Sequence, residues 1–255
     1  MPVQLPVDQL LILLLAIIRS SAWLLLVPPF NTRAIPAPVK MALAVGISLP
    51  VIGRPGATAP VVELGPLLLA VLMQVGVGVA LGLLTLMLFS AVQAAGDAID
   101  MFASFTVAVA YDPLSNASTA VFGRLHQLVA MLLLFATNGH LLLVQGFYDS
   151  YRAIPVPMGV DLSVATELLT ANLGVFFLSA LQIALPLIVA LTLTDVAMGL
   201  LSRGAPQLNV FSLGFAVKIL VTLLVAGIGL ALLPAALTRV LGDITRAVST
   251  LLGAG

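Results

Sequence analysis

Leu64 to Gly96 reads LGPLLLAVLMQVGVGVALGLLTLMLFSAVQAAG, without one charged residue. A bilayer-spanning helix needs about 20 predominantly apolar residues, and this run exceeds that. Gly76, Gly78 and Gly82 form a small-residue stripe within it, Gly78 and Gly82 at the spacing that lets another backbone approach closely in lipid. The rest of the chain agrees with this stretch. Of 255 residues, 61% are hydrophobic and only 8% charged. A soluble domain carries roughly 25% charged residues. So little charge cannot cover a water-facing surface, and the sequence therefore predicts an all-α integral membrane protein. No long polar stretch divides it, so residues 1–255 are expected to form a single membrane domain.

Ten basic and ten acidic residues cancel, which argues against nucleic acid as a partner. The chain has no cysteine, so disulfides, thiolate metal sites and cysteine nucleophiles are excluded. Met1 to Asp8 carries no basic region, and the first apolar run is expected to stay in the mature chain.

Outward from Leu64–Gly96, hydropathy gives about six helical segments. Toward the N-terminus lie about Leu10–Val27, interrupted by Arg19, and a short run, about Val39–Ile52, that reads as half-inserted or protein-buried. Toward the C-terminus lie about Leu125–Phe147 with His140, Leu168–Thr194 with Pro186, and Ile219–Leu237 with Pro234. Pro186 removes a backbone donor and should kink its helix unless neighbours compensate. A tail with Arg239, Asp243 and Arg246 has the makings of an amphipathic helix. Basic residues divide too evenly between the two sides to orient the chain.

Two stretches break the pattern. Asp97 and Asp100 share a helical face. The following segment, Phe105, Val107, Val109 and their neighbours, is apolar and β-branched and ends at Tyr111, Asp112 and Pro113. It is too short to span and suits a re-entrant or protein-buried element. The second stretch is Arg203-Gly204-Ala205-Pro206-Gln207-Leu208-Asn209-Val210-Phe211. A simple turn needs only turn-formers and solvating groups, yet Leu208, Val210 and Phe211 are there as well. We read it as a loop packed against protein, with a turn whose apolar residues dip into the bilayer as the rival.

No active site emerges. Arg19, Asp195 and His140 are ionisable residues inside apolar segments, the default places to look for function, but they are too scattered for a proton pathway. No HExxH is present. Gly46-Ile47-Ser48 is followed by Leu49 where a serine intramembrane protease wants glycine, and Tyr111-Asp112 is only half of an aspartyl one. There is no glycine-rich phosphate loop, and no metal or cofactor is expected.

With these residues in view, the chain resembles the FliR family of flagellar and virulence type III secretion proteins over nearly its whole length. The resemblance is carried by Pro28, Arg33, Pro36 and Lys40; by Gly96, Asp97, Ile99 and Asp100; by Asp112-Pro113; and by Asn138-Gly139-His140-Leu141. Ser150, Ile154 and Pro155 continue it. The most specific part is Pro186, Asp195, Arg203 and Pro206-Gln207-Leu208-Asn209-Val210-Phe211, then Gly214-Phe215. Ala216 stands where the family often has proline, and Ala103-Ser104 where it has a glycine-containing stretch.

The resemblance implies a non-enzymatic subunit of an export gate, joined to FliP-like and FliQ-like subunits and an FlhB-like protein within the basal-body ring. Unfolded export substrates would cross the bacterial inner membrane there, and some helical segments would be hairpins packed against neighbours. It makes Phe105 to Ser118 the plug that obstructs the closed channel, an ordinary connecting loop being the rival. Gly96, Asp100, Asp195, Arg203, Pro206, Gln207, Asn209 and Phe211 become packing and assembly residues. The injectisome counterpart of the family and a small-solute transporter remain the alternatives; the latter predicts an internal repeat around a polar midplane site.

Overall fold

A computed structural model describes residues 6–28, 30–32, 34–52, 57–104, 120–159, 162–205, 207 and 209–251. Among the described residues there are helices and no strands. They run α1 Val7–Leu24, α2 Ala37–Ser48 with a 3₁₀ turn at Leu49–Val51, α3 Leu64–Phe102, α4 Val121–Ala136, α5 Gly139–Ala153, α6 Leu162–Gly204 and α7 Val210–Leu251. The chain is an all-α membrane protein, as expected. By length and composition three of its helices can cross a bilayer, Val7–Leu24, Leu64–Phe102 and Ala165–Gly204, or up to five if each bent helix pair counts as one span.

Two expectations need revising. The fourth apolar segment is two helices: Asn138 adopts φ 57° and interrupts the ladder between α4 and α5. Asparagine tolerates the left-handed region better than most residues, and Asn138-Gly139 is itself a turn signal. The last segment and its tail are one helix, α7, bent by 52° between Ser212–Gly227 and Gly229–Thr250. Within the chain the short α2 covers only Ala44 and Ser48, while Val39, Met41 and Val45 are exposed. Through Pro186, α6 continues without interruption.

The helices gather into two compact units. The first comprises Met1–Leu88, Asn138–Leu173 and Leu241–Gly255, the second Phe89–Thr137 and Gly174–Val240. In the first, α1 packs on α3 across the predicted glycine stripe. A Cβ on Gly78 would come within 2.5 Å of the Arg19 carbonyl oxygen, and one on Gly82 within 2.8 Å of Leu26 Cβ. Gly76 faces open space and takes no part. Beside this crossing Trp23 stacks on Phe147 at 4.6 Å between ring centroids, and Tyr151 meets the edge of Phe147 at 5.4 Å. Such pairs add about 0.5–1.5 kcal/mol beyond area burial. In the second unit Ala95, Ile99 and Ala103 of α3 and its end pack with Phe122 of α4 and with Ala184, Leu187 and Leu191 of α6.

Candidate functional site

In the second unit the end of α3 is held by two polar junctions. The first joins it to the start of α4. Asp100, 1% exposed, accepts hydrogen bonds from the backbone N–H groups of Phe122 and Gly123 through its two oxygens, at 3.1 and 3.0 Å. These are among the amides that a helix start leaves without intrahelical partners, and the helix dipole favours an acid there. The elements come this close because both contact points are glycine. A methyl group on Gly96 would lie 2.6 Å from Gly123 Cα and overlap the Phe122 carbonyl, and one on Gly123 would overlap the Asp97 carboxylate. His126 Nδ1 lies 2.9 Å from the Phe122 carbonyl oxygen. The predicted pair Gly96 and Asp100 thus falls in one junction, and Gly123, which no local pattern singled out, completes it.

The second junction joins the same end of α3 to α6 and α7. Lys218 of α7 pairs with Asp195 of α6 at 2.8 Å. Its Nζ also donates to the carbonyl oxygen of Phe102, the last residue of α3, and to Ser104 Oγ, both at 3.3 Å. Ser104 has φ 65°, the left-handed conformation that commonly closes a helix and that glycine adopts most readily. A serine where the resemblance leads one to expect a glycine-containing stretch therefore keeps the left-handed turn and adds a hydroxyl to it. Asp195 was legible in the sequence, whereas nothing local singles out Lys218.

The stretch Arg203 to Phe211 is a short connection between α6 and α7. Arg203, Gln207 and Asn209 are exposed on this chain, while Leu208 and the side chains of Val210 and Phe211, on which the expected packing rests, lie outside the described residues. Asn209 precedes α7, and its Oδ1 accepts from the Ser212 N–H at 3.3 Å, an N-cap. Pro206 lies outside the described residues, and of Phe211 only the backbone, in the first turn of α7, is described. The predicted plug residues Phe105, Val107, Val109, Tyr111, Asp112 and Pro113 also lie outside the described residues.

In the first unit the ionisable residue of α1 finds its partners. Arg19 is fully buried. Its Nε donates to Gln74 Oε1 at 2.7 Å, Nη2 to the Ile154 carbonyl at 2.9 Å and Nη1 to Ser150 Oγ at 3.3 Å. The guanidinium carbon sits 4.2 Å from the Tyr151 ring centroid, a cation–π contact. Gln74 in turn donates to the Met158 carbonyl at 2.9 Å, and Tyr151 to the Ala16 carbonyl at 3.1 Å. One side chain thereby ties α1, α3, α5 and the segment after α5 together.

Among the described residues, the polar groups set out above hold helix ends and crossings. Residues 10–244 match the family described as bacterial export proteins, family 1. The chain is 33% identical to the flagellar biosynthetic protein FliR of Pectobacterium carotovorum subsp. carotovorum, over 85% of this chain and 83% of that protein. It is 34% identical to FliR of Escherichia coli K12 over 78% and 76%. The secretion system apparatus protein SsaT of Salmonella typhimurium is 29% identical over 60% of this chain and 61% of its own length. The chain belongs to this family of bacterial export proteins, the FliR family.

Proposed function

We infer that the chain is a membrane-embedded subunit of a type III export gate, working in flagellar biosynthesis through assembly and without chemistry of its own. The observation that carries this is the family match across residues 10–244. The structure offers a compatible physical picture. The apolar window of α6 is only 11% buried within the chain, with Phe177, Leu181, Leu185, Val189 and Leu193 exposed. Such a face needs lipid or other apolar protein against it. FliP-like and FliQ-like subunits, with an FlhB-like protein beside them, are the partners we propose, in the inner membrane at the flagellar basal body.

Within that reading the connection that carries Arg203, Pro206, Gln207, Asn209 and Phe211 is a surface for a neighbouring subunit, supported by the exposure of Arg203, Gln207 and Asn209 on this chain. Residues 105–118 are the element that obstructs the closed channel, a proposal supported by their sequence alone: apolar, β-branched and too short to span. Deleting them should raise ion leakage through the assembled gate; unchanged leakage would make the segment a plain connector.

The test of the whole reading is affinity purification of the tagged chain from its native membranes in mild detergent, followed by mass spectrometry. A large defined complex with FliP-like and FliQ-like subunits is expected. A stable, monodisperse chain alone would overturn it and favour a small-solute transporter. An injectisome role is the second reading, supported by the likeness to SsaT. Loss of motility on deletion distinguishes the flagellar system from it.

A further inference from the structure

We propose that Lys218 is a positioning residue whose ammonium group fixes the end of α3 to α6 and α7, so that charge, rather than apolar packing alone, sets how the chain leaves α3. An ammonium group has three N–H donors and no acceptor. Around Lys218 Nζ stand three acceptors from two other parts of the fold: Asp195 Oδ1 on α6, the Phe102 carbonyl that closes α3, and Ser104 Oγ just beyond it. The count of donors and acceptors matches. Each acceptor has a physical need for that donor. The last carbonyls of a helix lack intrahelical partners, and a cation is favoured at that end of the dipole. Ser104 sits in a left-handed turn that a serine side chain adopts less readily than glycine, and its hydroxyl is anchored there by the same nitrogen.

The burial is asymmetric. The Lys218 side chain is 15% exposed and that of Asp195 53%. The cation is therefore committed to the interior, whereas the acid reaches the surface of the chain. An ordinary surface pair would be symmetric and interchangeable. This one is not, because one of the three acceptors is the backbone carbonyl that ends α3, which only a donor can satisfy. Apolar packing alone could bring α6 beside α3, as Leu187 and Leu191 do, but it does not define the direction of a backbone carbonyl.

The proposal does not depend on the export-gate reading, because its primary readout is a distance. The chain has no cysteine, so spin labels can be placed at two exposed positions, Met101→Cys on α3 and Leu224→Cys on α7. They are measured by pulsed dipolar spectroscopy in the full chain, purified with its accompanying subunits, with single-label controls. A single narrow distance is expected without further change and in Lys218→Arg, which keeps cationic donors. Lys218→Met should at least double the width of the distribution. The charge swap Asp195→Lys with Lys218→Asp should be as broad as Lys218→Met, because an aspartate at 218 cannot donate to the Phe102 carbonyl. A swap that restores the narrow distance would overturn the proposal and reduce the contact to a simple ion pair. So would an unchanged distribution in Lys218→Met. If Lys218→Met fails to accumulate in the membrane, Lys218→Gln decides: it keeps a polar side chain but removes the charge, and a distribution as narrow as the reference would overturn the proposal.

Discussion

Each unit of the molecule buries a cation among its helices, and they solve the resulting problem differently. Arg19 in the first unit is fully enclosed by neutral partners, an amide, a hydroxyl, a backbone carbonyl and an aromatic face. Lys218 in the second faces a carboxylate that is half exposed. Guanidinium is planar, always charged and weakly hydrated, so it suits a site where several fixed acceptors must be gathered at once. Ammonium is a compact charge, better matched to a convergent point. The comparison teaches that a membrane chain can use charge in two ways, as a permanent interior rivet and as a junction that reaches the chain surface.

The sharpest way to break the comparison is Arg19→Met. It leaves Gln74 Oε1 and the Ile154 carbonyl without their donor, at roughly 1–3 kcal/mol for each buried acceptor. We expect marked loss of the chain from membranes, measured by immunoblot after limited proteolysis. Adding Gln74→Leu should recover little of it, since that change relieves Gln74 Oε1 but leaves the Met158 carbonyl without its donor as well. Full accumulation of Arg19→Met alone would mean that the rivet does not stabilise the first unit.

The next test sharpens the contrast in the second unit, where backbones approach closely. Gly96→Ala should overlap the Phe122 carbonyl and cost about 1–3 kcal/mol. Gly46→Ala, with nothing within 4 Å of the added carbon, should instead be neutral or stabilise by up to about 1 kcal/mol through helix propensity. Thermal unfolding of the detergent-solubilised complex reads both. Equal midpoints would show that the α3–α4 crossing relaxes freely. The smallest effect is expected at Asn209→Ala, about 1 kcal/mol for a lost N-cap, seen as faster amide exchange in the first turn of α7. Unchanged exchange there would leave the exposed Asn209 to the assembly role alone.

What was readable from the sequence follows from how far apart the interacting residues lie. The charge-free run became α3, and its Gly78–Gly82 spacing became the crossing with α1, because helical periodicity is a local property. Asp97 and Asp100 were readable on one helical face for the same reason, whereas Gly96 was singled out only by the family resemblance. The partners of Arg19 were not: Gln74 lies 55 residues away and Ile154 135, and no local pattern links them to it. Lys218 was overlooked because a single lysine at the head of an apolar run looks like an interfacial charge until Phe102 and Ser104 are placed beside it. The break at Asn138-Gly139 had a turn signal in plain view, overridden by the apolar residues on both sides. The boundary between α7 and its tail failed in the opposite way, since Pro234 and the charges after it suggested an end that the helix ladder ignores.

The length of α3 has a geometric consequence. At about 1.5 Å per residue its uncharged portion, Leu64 to Gly96, is roughly 50 Å long, whereas the hydrocarbon layer is about 30 Å thick. Fitting the one inside the other would require a tilt of more than about 50°, beyond the range of roughly 0–40° seen for membrane helices. Roughly 10–20 Å of greasy rod must therefore stand clear of the lipid tails, in a zone where water would otherwise wet it. That overhang needs a sleeve of other polypeptide.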